Sequence, residues 1–238
     1  MTIEDDVWSK KHYHIEDVTK YDLTPVPFLV ETVPFFKSKG ITSILDAGCG
    51  QGRNSLYLAQ QGFFVHGIDA SEKAVPLCRE LLESHQQFRY SVHQHRLQEL
   101  SGLFLPDVLE VIVSVTVLTH ILDADQVINE FYTVLRSGGY VLADFANLDD
   151  STYEYISKGE KVSANAFLEQ GTTVVYRTKD EVEKLFPPQQ WKIQKLEEIK
   201  FIEPPHPGSR PFEHEHCSYV VLAQSKKLPP KKRWKWFS

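Results

Sequence analysis

The residues best equipped for chemistry crowd into one short stretch, Leu45-Asp46-Ala47-Gly48-Cys49-Gly50-Gln51-Gly52-Arg53-Asn54. Its glycines occupy every second position, 48, 50 and 52, directly after an apolar run that ends on a carboxylate. A dinucleotide fingerprint needs a third glycine at 53 or 55, where Arg53 and Ser55 stand, and a phosphate-cradling P-loop needs a Gly-Lys-Ser/Thr that does not follow. The carboxylate decides further. Asp46 beside the loop would repel a pyrophosphate but favour a ligand with an ammonium or sulfonium group, while the glycines let a nucleoside lie close to the backbone. S-adenosylmethionine has both features. Asp69 ends the next apolar run, 23 residues after Asp46, where an acidic side chain accepts hydrogen bonds from ribose hydroxyls.

Positioning two carboxylates at neighbouring strand tips requires a particular set of elements. Ile44 to Asp46 reads as a strand, Arg53 to Gln61 as a helix that Gly62 can end in a left-handed conformation, and Phe63 to Ile68 as a second strand. The alternation continues with a helix over 72–84, strands near 90–95 and 111–115, a helix over 125–135 with Asp123 or Asp125 near its cap, and a strand over 140–144. Five such alternations predict an α/β doubly wound sheet, mainly parallel. Residues 147–172 read as a polar, irregular insertion. A strand at Thr173 to Tyr176, a helix from Lys179 to Phe186 just after Thr178, and strands at Trp191 to Ile202 and His216 to Ala223 complete the set. Only a short proline-rich and histidine-rich loop joins the last two, so they pair antiparallel more easily than parallel. The expected domain plan is an N-terminal helical lid over 1–40, the main domain over 41–225 and a basic tail over 226–238.

Asp46-x-Gly-x-Gly-x-Gly followed by Gly67-Ile68-Asp69-Ala70-Ser71 resembles the first two motifs of class I S-adenosylmethionine-dependent methyltransferases, and the resemblance runs from about Trp8 to Ser225. Gly48 through Ala59 is similar to the tellurite-resistance branch and its small-molecule relatives. Glu110 through Ile121 resembles the fourth-strand motif, whose carbonyl holds the methionine amino group, and Leu135 to Leu142 resembles the turn into the fifth strand. The resemblance implies a Rossmann-like seven-stranded sheet with its last strand antiparallel, and S-adenosylmethionine as cofactor. Its contacts are expected from Asp46, Gly48, Cys49, Gly50, Gly52, Asn54, Ile68, Asp69, Ala70, Arg96, Leu97, Ser114 and Val115. Here the chain departs from the pattern. An aspartate commonly follows the third strand, and this chain has His95-Arg96-Leu97-Gln98 instead, which leaves the adenine amino group to backbone or Gln98.

Methyl transfer needs alignment and desolvation more than acid–base chemistry, so a general base is optional. Three histidines could serve as one. His214 and His216 alternate onto one face of an extended segment with Cys217 on the other, and His120 ends the fourth strand. Packing or hydrogen-bonding roles compete with that reading at each. No third ligand stands at a metal-binding spacing, so no metal site is expected. Tyr13 and Tyr21 resemble an aromatic lid over the cofactor, and Arg210 adds a cation near the histidines.

Composition narrows the partners. A net charge of −6 gives no general attraction to phosphate backbones, which leaves nucleic acid to the tail, where Lys226 to Ser238 holds six cations and three aromatics. A small-molecule methyl acceptor is the leading expectation, with nucleic acid, protein or a non-catalytic cofactor-binding role as alternatives. The longest apolar stretch, Val108 to Leu122, is too interrupted for a membrane span, and Glu4, Asp5 and Asp6 stand where a secretory leader would be basic. Three widely spaced cysteines suggest no disulfide framework. These readings place a monomer or homodimer in the cytoplasm.

Overall fold

Strands covered by helices on both faces must be apolar on both, and the central strands here obey that rule. The computed structural model describes residues 22–85, 88–203 and 213–229. Its main sheet contains β1 (Ser43–Ala47), β2 (Phe64–Asp69), β3 (Tyr90–Gln94), β4 (Leu109–Ser114), β5 (Leu135–Ala146), β9 (Trp191–Glu203) and β10 (His214–Ser225), in the order β3-β2-β1-β4-β5-β10-β9. Neighbours from β3 through β5 run parallel, and β10 lies antiparallel to both β5 and β9. The strand order reverses beside β1, and in doubly wound sheets ligands bind outside the carboxyl ends of the strands at such a point.

Alternate residues feed two cores. One face sends Ile44, Val65, Val92, Val113, Leu142 and Val220 toward α1 (Pro27–Ser38), α2 (Arg53–Gln60) and α3 (Ala74–Glu83). The other sends Leu45, Ile68, Ile112, Val141 and Val221 toward α4 (Ala124–Val134) and α6 (Lys179–Leu185), where Val127, Phe131 and Val182 meet them. Each such side chain, fully buried, contributes roughly 1.5–3 kcal/mol. Thr178 caps α6 with a reciprocal box: its hydroxyl accepts from the Glu181 backbone while Glu181 Oε2 accepts from Thr178 N at 2.7 Å.

Asp123 is the N-cap residue of α4 and Asp125 stands in its first turn, as expected, without a side-chain capping bond. Two expectations need correction. The glycines before Tyr140 do not form a turn ahead of β5. The strand starts at Leu135, paired with Leu109, and Gly138 at φ +69° with Gly139 forms an irregularity inside it. A side chain at 139 would press on the Glu110 and Arg136 carbonyls at 3.0–3.1 Å, which would then have to give by a few tenths of an ångström. Second, the insertion is ordered. It holds α5 (Tyr153–Ile156), and with the segment after it an antiparallel sheet of β6 (Glu160–Ser163), β7 (Ala166–Glu169) and β8 (Thr172–Val175). The β7–β8 hairpin turns on Gln170 at φ +50° and Gly171 at φ +89°, a two-residue loop with both central residues left-handed. Glutamine in the asparagine position, and strands of only four residues, hid it from the sequence.

The tail also begins later than its composition suggests. Lys226 N donates to the Gln190 carbonyl at 2.7 Å, and Lys227 Nζ bonds Asp107 at 2.5 Å and the Thr133 and Leu135 carbonyls at 2.8 and 2.9 Å. Both lysines belong to the fold. They sit at the amino ends of β4 and β5, so the chain leaves the sheet at the edge opposite the glycine loop. A chain ending at Ser225 should therefore be about 1–3 kcal/mol less stable in urea denaturation than one ending at Pro229, the scale of a charge-assisted hydrogen bond.

Candidate functional site

Three glycines let the chain turn from β1 into α2 over the end of the sheet. Gly48, Gly50 and Gly52 adopt φ of +85°, +54° and +101°, which ordinary side chains resist. Space forbids side chains there as well. A Cβ on Gly48 would lie 2.2 Å from Val117 Cγ2, and one on Gly52 would lie 2.9 Å from Cys78 Sγ. Gly48 N and Cys49 N both donate to the Ile68 carbonyl, at 2.7 and 2.9 Å, so β2 holds the loop in place.

The two carboxylates divide the work. Asp69 spans two loops: Oδ2 accepts from Gly50 N at 2.9 Å and Oδ1 from Ser71 N at 2.8 Å. Asp46 turns inward. It is 1% exposed, and its Oδ2 accepts from the Ser55 hydroxyl at 2.6 Å beneath the first turn of α2. Burial pushes its carboxyl up to about 6, against the opposing effect of that hydroxyl. Helix α2 has no side-chain cap of its own, and Asp46 supplies the negative charge its N-terminus favours.

Beyond the loop, the remaining predicted residues fall into three groups. Ala70 accepts Gln94 Nε2 through its carbonyl at 3.0 Å, Arg96 precedes a short 3-10 helix at Leu97–Gly102, and Leu97 is buried in the core. Ser114 and Val115 are buried at the end of β4. Asn54 turns to the N-terminal side, where its Oδ1 accepts from Val26 N at 3.4 Å and ties the start of α1 to the glycine loop. The Cys49 thiol is pushed well up by hydrogen bonding to Cys78 and by burial, which makes it a packing group and no nucleophile. Tyr13, Tyr21, Arg210 and the side chain of His214 lie outside the described residues. Among the described residues, no three His, Cys, Asp or Glu side chains are grouped to hold a metal.

One functional candidate escaped the sequence reading. Asp144 is 2% exposed within β5, and its Oδ1 accepts from Thr116 N at 2.6 Å, which holds Thr116 in a left-handed conformation at φ +57°. A charged residue inside the run Val141 to Phe145 was the available signal, since buried carboxylates need a partner. Around it, Ser114 Oγ and Thr116 Oγ1 are buried without any hydrogen-bond partner among the described residues. Orphaned hydroxyls of that kind cost about 1–3 kcal/mol each, and a ligand with polar groups would satisfy them. The carboxyl edge thus offers, from β2 to β4, an acid, a close backbone approach and two unfilled hydroxyls. That set fits a nucleoside with an amino-acid tail.

Comparison with known proteins decides the family. Residues 38–198 match the family model described as "Methyltransferase domain". The chain belongs to that family. Over 114 residues it is 32% identical to a ubiquinone biosynthesis O-methyltransferase of Nitrosomonas europaea, covering 48% of this chain and 47% of the relative. Over 152 residues it is 30% identical to a tRNA N(3)-cytidine methyltransferase of Gallus gallus, covering 60% and 41%. These matches span about half or less of each curated relative's length. A solved structure of an S-adenosylmethionine-dependent methyltransferase from Methanosarcina mazei superposes with a TM-score of 0.69 at 21% identity, over 87% of this chain and 99% of that one. The methyltransferase domain is accordingly of the S-adenosylmethionine-dependent, Rossmann-like class.

The methyltransferase pins the segment after β4 from the insertion side. Arg177 is 6% exposed; its Nη1 and Nη2 donate to the Leu118 and Ile121 carbonyls at 2.8 and 2.6 Å, and its guanidinium lies over Phe145. His120 Nδ1 bonds the Thr173 carbonyl at 2.8 Å, which gives this histidine a fastening role. Glu110, in the fourth-strand motif, works at the other end of β4, accepting from Thr42 N and Ser43 N at 2.7 and 2.9 Å.

Asp46 has a folded pKa near 6, above its ordinary 3.8, so its contribution to stability is complete below about pH 4 and is lost as pH rises through 6. Asp46→Asn should therefore raise stability at pH 8 by roughly 1–3 kcal/mol and flatten the slope between pH 4 and 6, as read by urea denaturation across pH.

Proposed function

We propose that this domain transfers the methyl group of S-adenosylmethionine to a small-molecule acceptor by direct in-line displacement. One observation carries the reading: a continuous carboxyl edge running from Asp69 past Gly48 to the two buried, unpartnered hydroxyls of Ser114 and Thr116. When bound there, the cofactor supplies an electrophilic methyl carbon on a sulfonium. The chain supplies placement. Asp69 would accept from the ribose hydroxyls, Gly48 and Gly50 would let the nucleoside approach, and Asp46 would place negative charge below the loop. Ser114, Val115 and Thr116 would receive the methionine end. Reaction rate would then come mainly from fixed geometry and exclusion of water.

The acceptor is a small molecule in this reading for two reasons. The net charge is −6, and Lys226 and Lys227 are held at the amino edge of the sheet, away from the glycine loop. One curated relative is named for an O-methyltransferase of ubiquinone biosynthesis and another for a tRNA methyltransferase, so both acceptor classes enter the test. No helix among the described residues is long and apolar enough to cross a membrane.

Asp69→Ala should weaken S-adenosylmethionine binding by roughly 1.5–3 kcal/mol in calorimetry, the scale of hydrogen bonds to a charged group. Unchanged affinity would remove Asp69 from the site. In the same preparation, formation of S-adenosylhomocysteine should be stimulated by members of a metabolite panel and not by bulk tRNA. The reverse pattern would replace the small-molecule reading.

A further inference from the structure

The segment after β4 cannot hold its own shape. Thr116 sits at φ +57°, a conformation that a β-branched residue resists, with its N–H donated to Asp144 Oδ1 at 2.6 Å. Val117 follows and packs so closely on the glycine loop that no Cβ fits at Gly48. Leu118–His120 then makes a single turn of 3-10 helix, too short to be stable alone. Contacts from outside the segment must fix it.

Arg177 supplies the firmest of them. It stands between β8 and the capped start of α6, and its N–H is donated to the Ala146 carbonyl at 2.8 Å, which fixes its backbone to the end of β5. Nη1 reaches the Leu118 carbonyl at 2.8 Å and Nη2 the Ile121 carbonyl at 2.6 Å, so one planar group spans the whole turn. A lysine could not do so. Two further bonds tie the same turn to the β8 backbone, from Thr119 Oγ1 to the Val175 carbonyl at 3.3 Å and between His120 Nδ1 and the Thr173 carbonyl at 2.8 Å. Holding a turn with a buried guanidinium that bonds carbonyls is expensive, since apolar residues of similar volume often replace buried charges without loss of stability. The expense is explained if the turn must stand in one exact place.

On the cofactor placement just given, we infer that Arg177 is a positioning residue for the methionine end of S-adenosylmethionine, acting through the turn at 118–121 to set Thr116 and Val117 beside Gly48. The nucleoside end is independent of it. That end rests on Asp69, whose carboxylate is oriented by Gly50 N and Ser71 N on the other side of the loop. The antiparallel sheet of the insertion thus governs one half of the cofactor and not the other.

Calorimetry on the full chain separates the halves with two probes, S-adenosylhomocysteine and 5′-methylthioadenosine, which share the nucleoside and the sulfur but differ in the amino-acid tail. Arg177→Met should weaken S-adenosylhomocysteine about 10-fold while methylthioadenosine changes by less than about twofold. Arg177→Lys, which keeps the charge but cannot span both carbonyls, should show a smaller loss confined to the same probe. Thr119→Val removes the bond to Val175 with little change of shape, and should give a selective loss of about threefold. Urea denaturation shows which variants are folded, and the ratio of the two affinities is read on those, so the milder pair decides the matter if Arg177→Met does not fold. A purely structural role would lower both affinities together, and that outcome would overturn the proposal. Unchanged affinity for S-adenosylhomocysteine in the folded variants would overturn it as well. A wild type that binds neither probe nor S-adenosylmethionine would instead remove the cofactor site itself, and the role of Arg177 with it.

Discussion

Burying a carboxylate in the middle of a parallel sheet is costly, and this fold is arranged around one such group. Asp46 lies between β2 and β4 with almost no exposure, paired to the Ser55 hydroxyl under the first turn of α2. Its negative charge and the positive end of α2 stabilise one another across the glycine loop. The loop must then pass over the carboxylate within van der Waals distance of Val117 and Cys78, which only glycines allow at 48 and 52. Asp69 completes the arrangement by holding Gly50 from the next strand tip. Local stability is given up here at the edge where the proposed cofactor site lies, as expected where function conflicts with best packing.

A second set of fastenings controls the other wall of the crevice. The segment after β4 carries a left-handed Thr116, held by Asp144, and continues into residues gripped by Arg177, Thr173 and Val175. Through these bonds the antiparallel sheet over 160–175 acts as a brace on the site. Arg177 illustrates the physics: its guanidinium is buried without a carboxylate in direct contact among the described residues, burial lowers its pKa to about 10 against the pull of Glu181 and Asp125, and carbonyl oxygens with the Phe145 ring satisfy it. Asp150, in the loop leading to this brace, accepts from His216 Nδ1 and Cys217 N and so ties that loop to β10.

Much of the architecture could be read in advance because it depends on local pattern. The apolar runs at 44–46, 63–68 and 111–115, the glycines after them and the spacing between Asp46 and Asp69 specify strand, loop and helix by steric and periodic rules that act within a few residues. The antiparallel final pair followed from a loop too short for a crossover. Only the last strand of the brace over 160–175 was legible, since four-residue strands with polar, exposed faces such as Glu160–Ser163 carry no periodicity to detect. The anchored Lys226 and Lys227 were equally hidden, because composition cannot show which carbonyl a lysine will reach.

The direction of each side chain was decided only in three dimensions. Spacing alone put two acids beside a glycine loop. Packing then turned Asp46 inward to Ser55, set Asp69 across two loops, and sent Asn54 toward Val26. Histidine pairs were visible along the chain, but the partner that fixes His216 lies 66 positions away. Sequence determined the class of fold and the kind of ligand, through short-range constraints on backbone and charge. Tertiary structure determined which polar groups are buried, which are satisfied and which remain orphaned, because desolvation depends on what every other element brings to the same place.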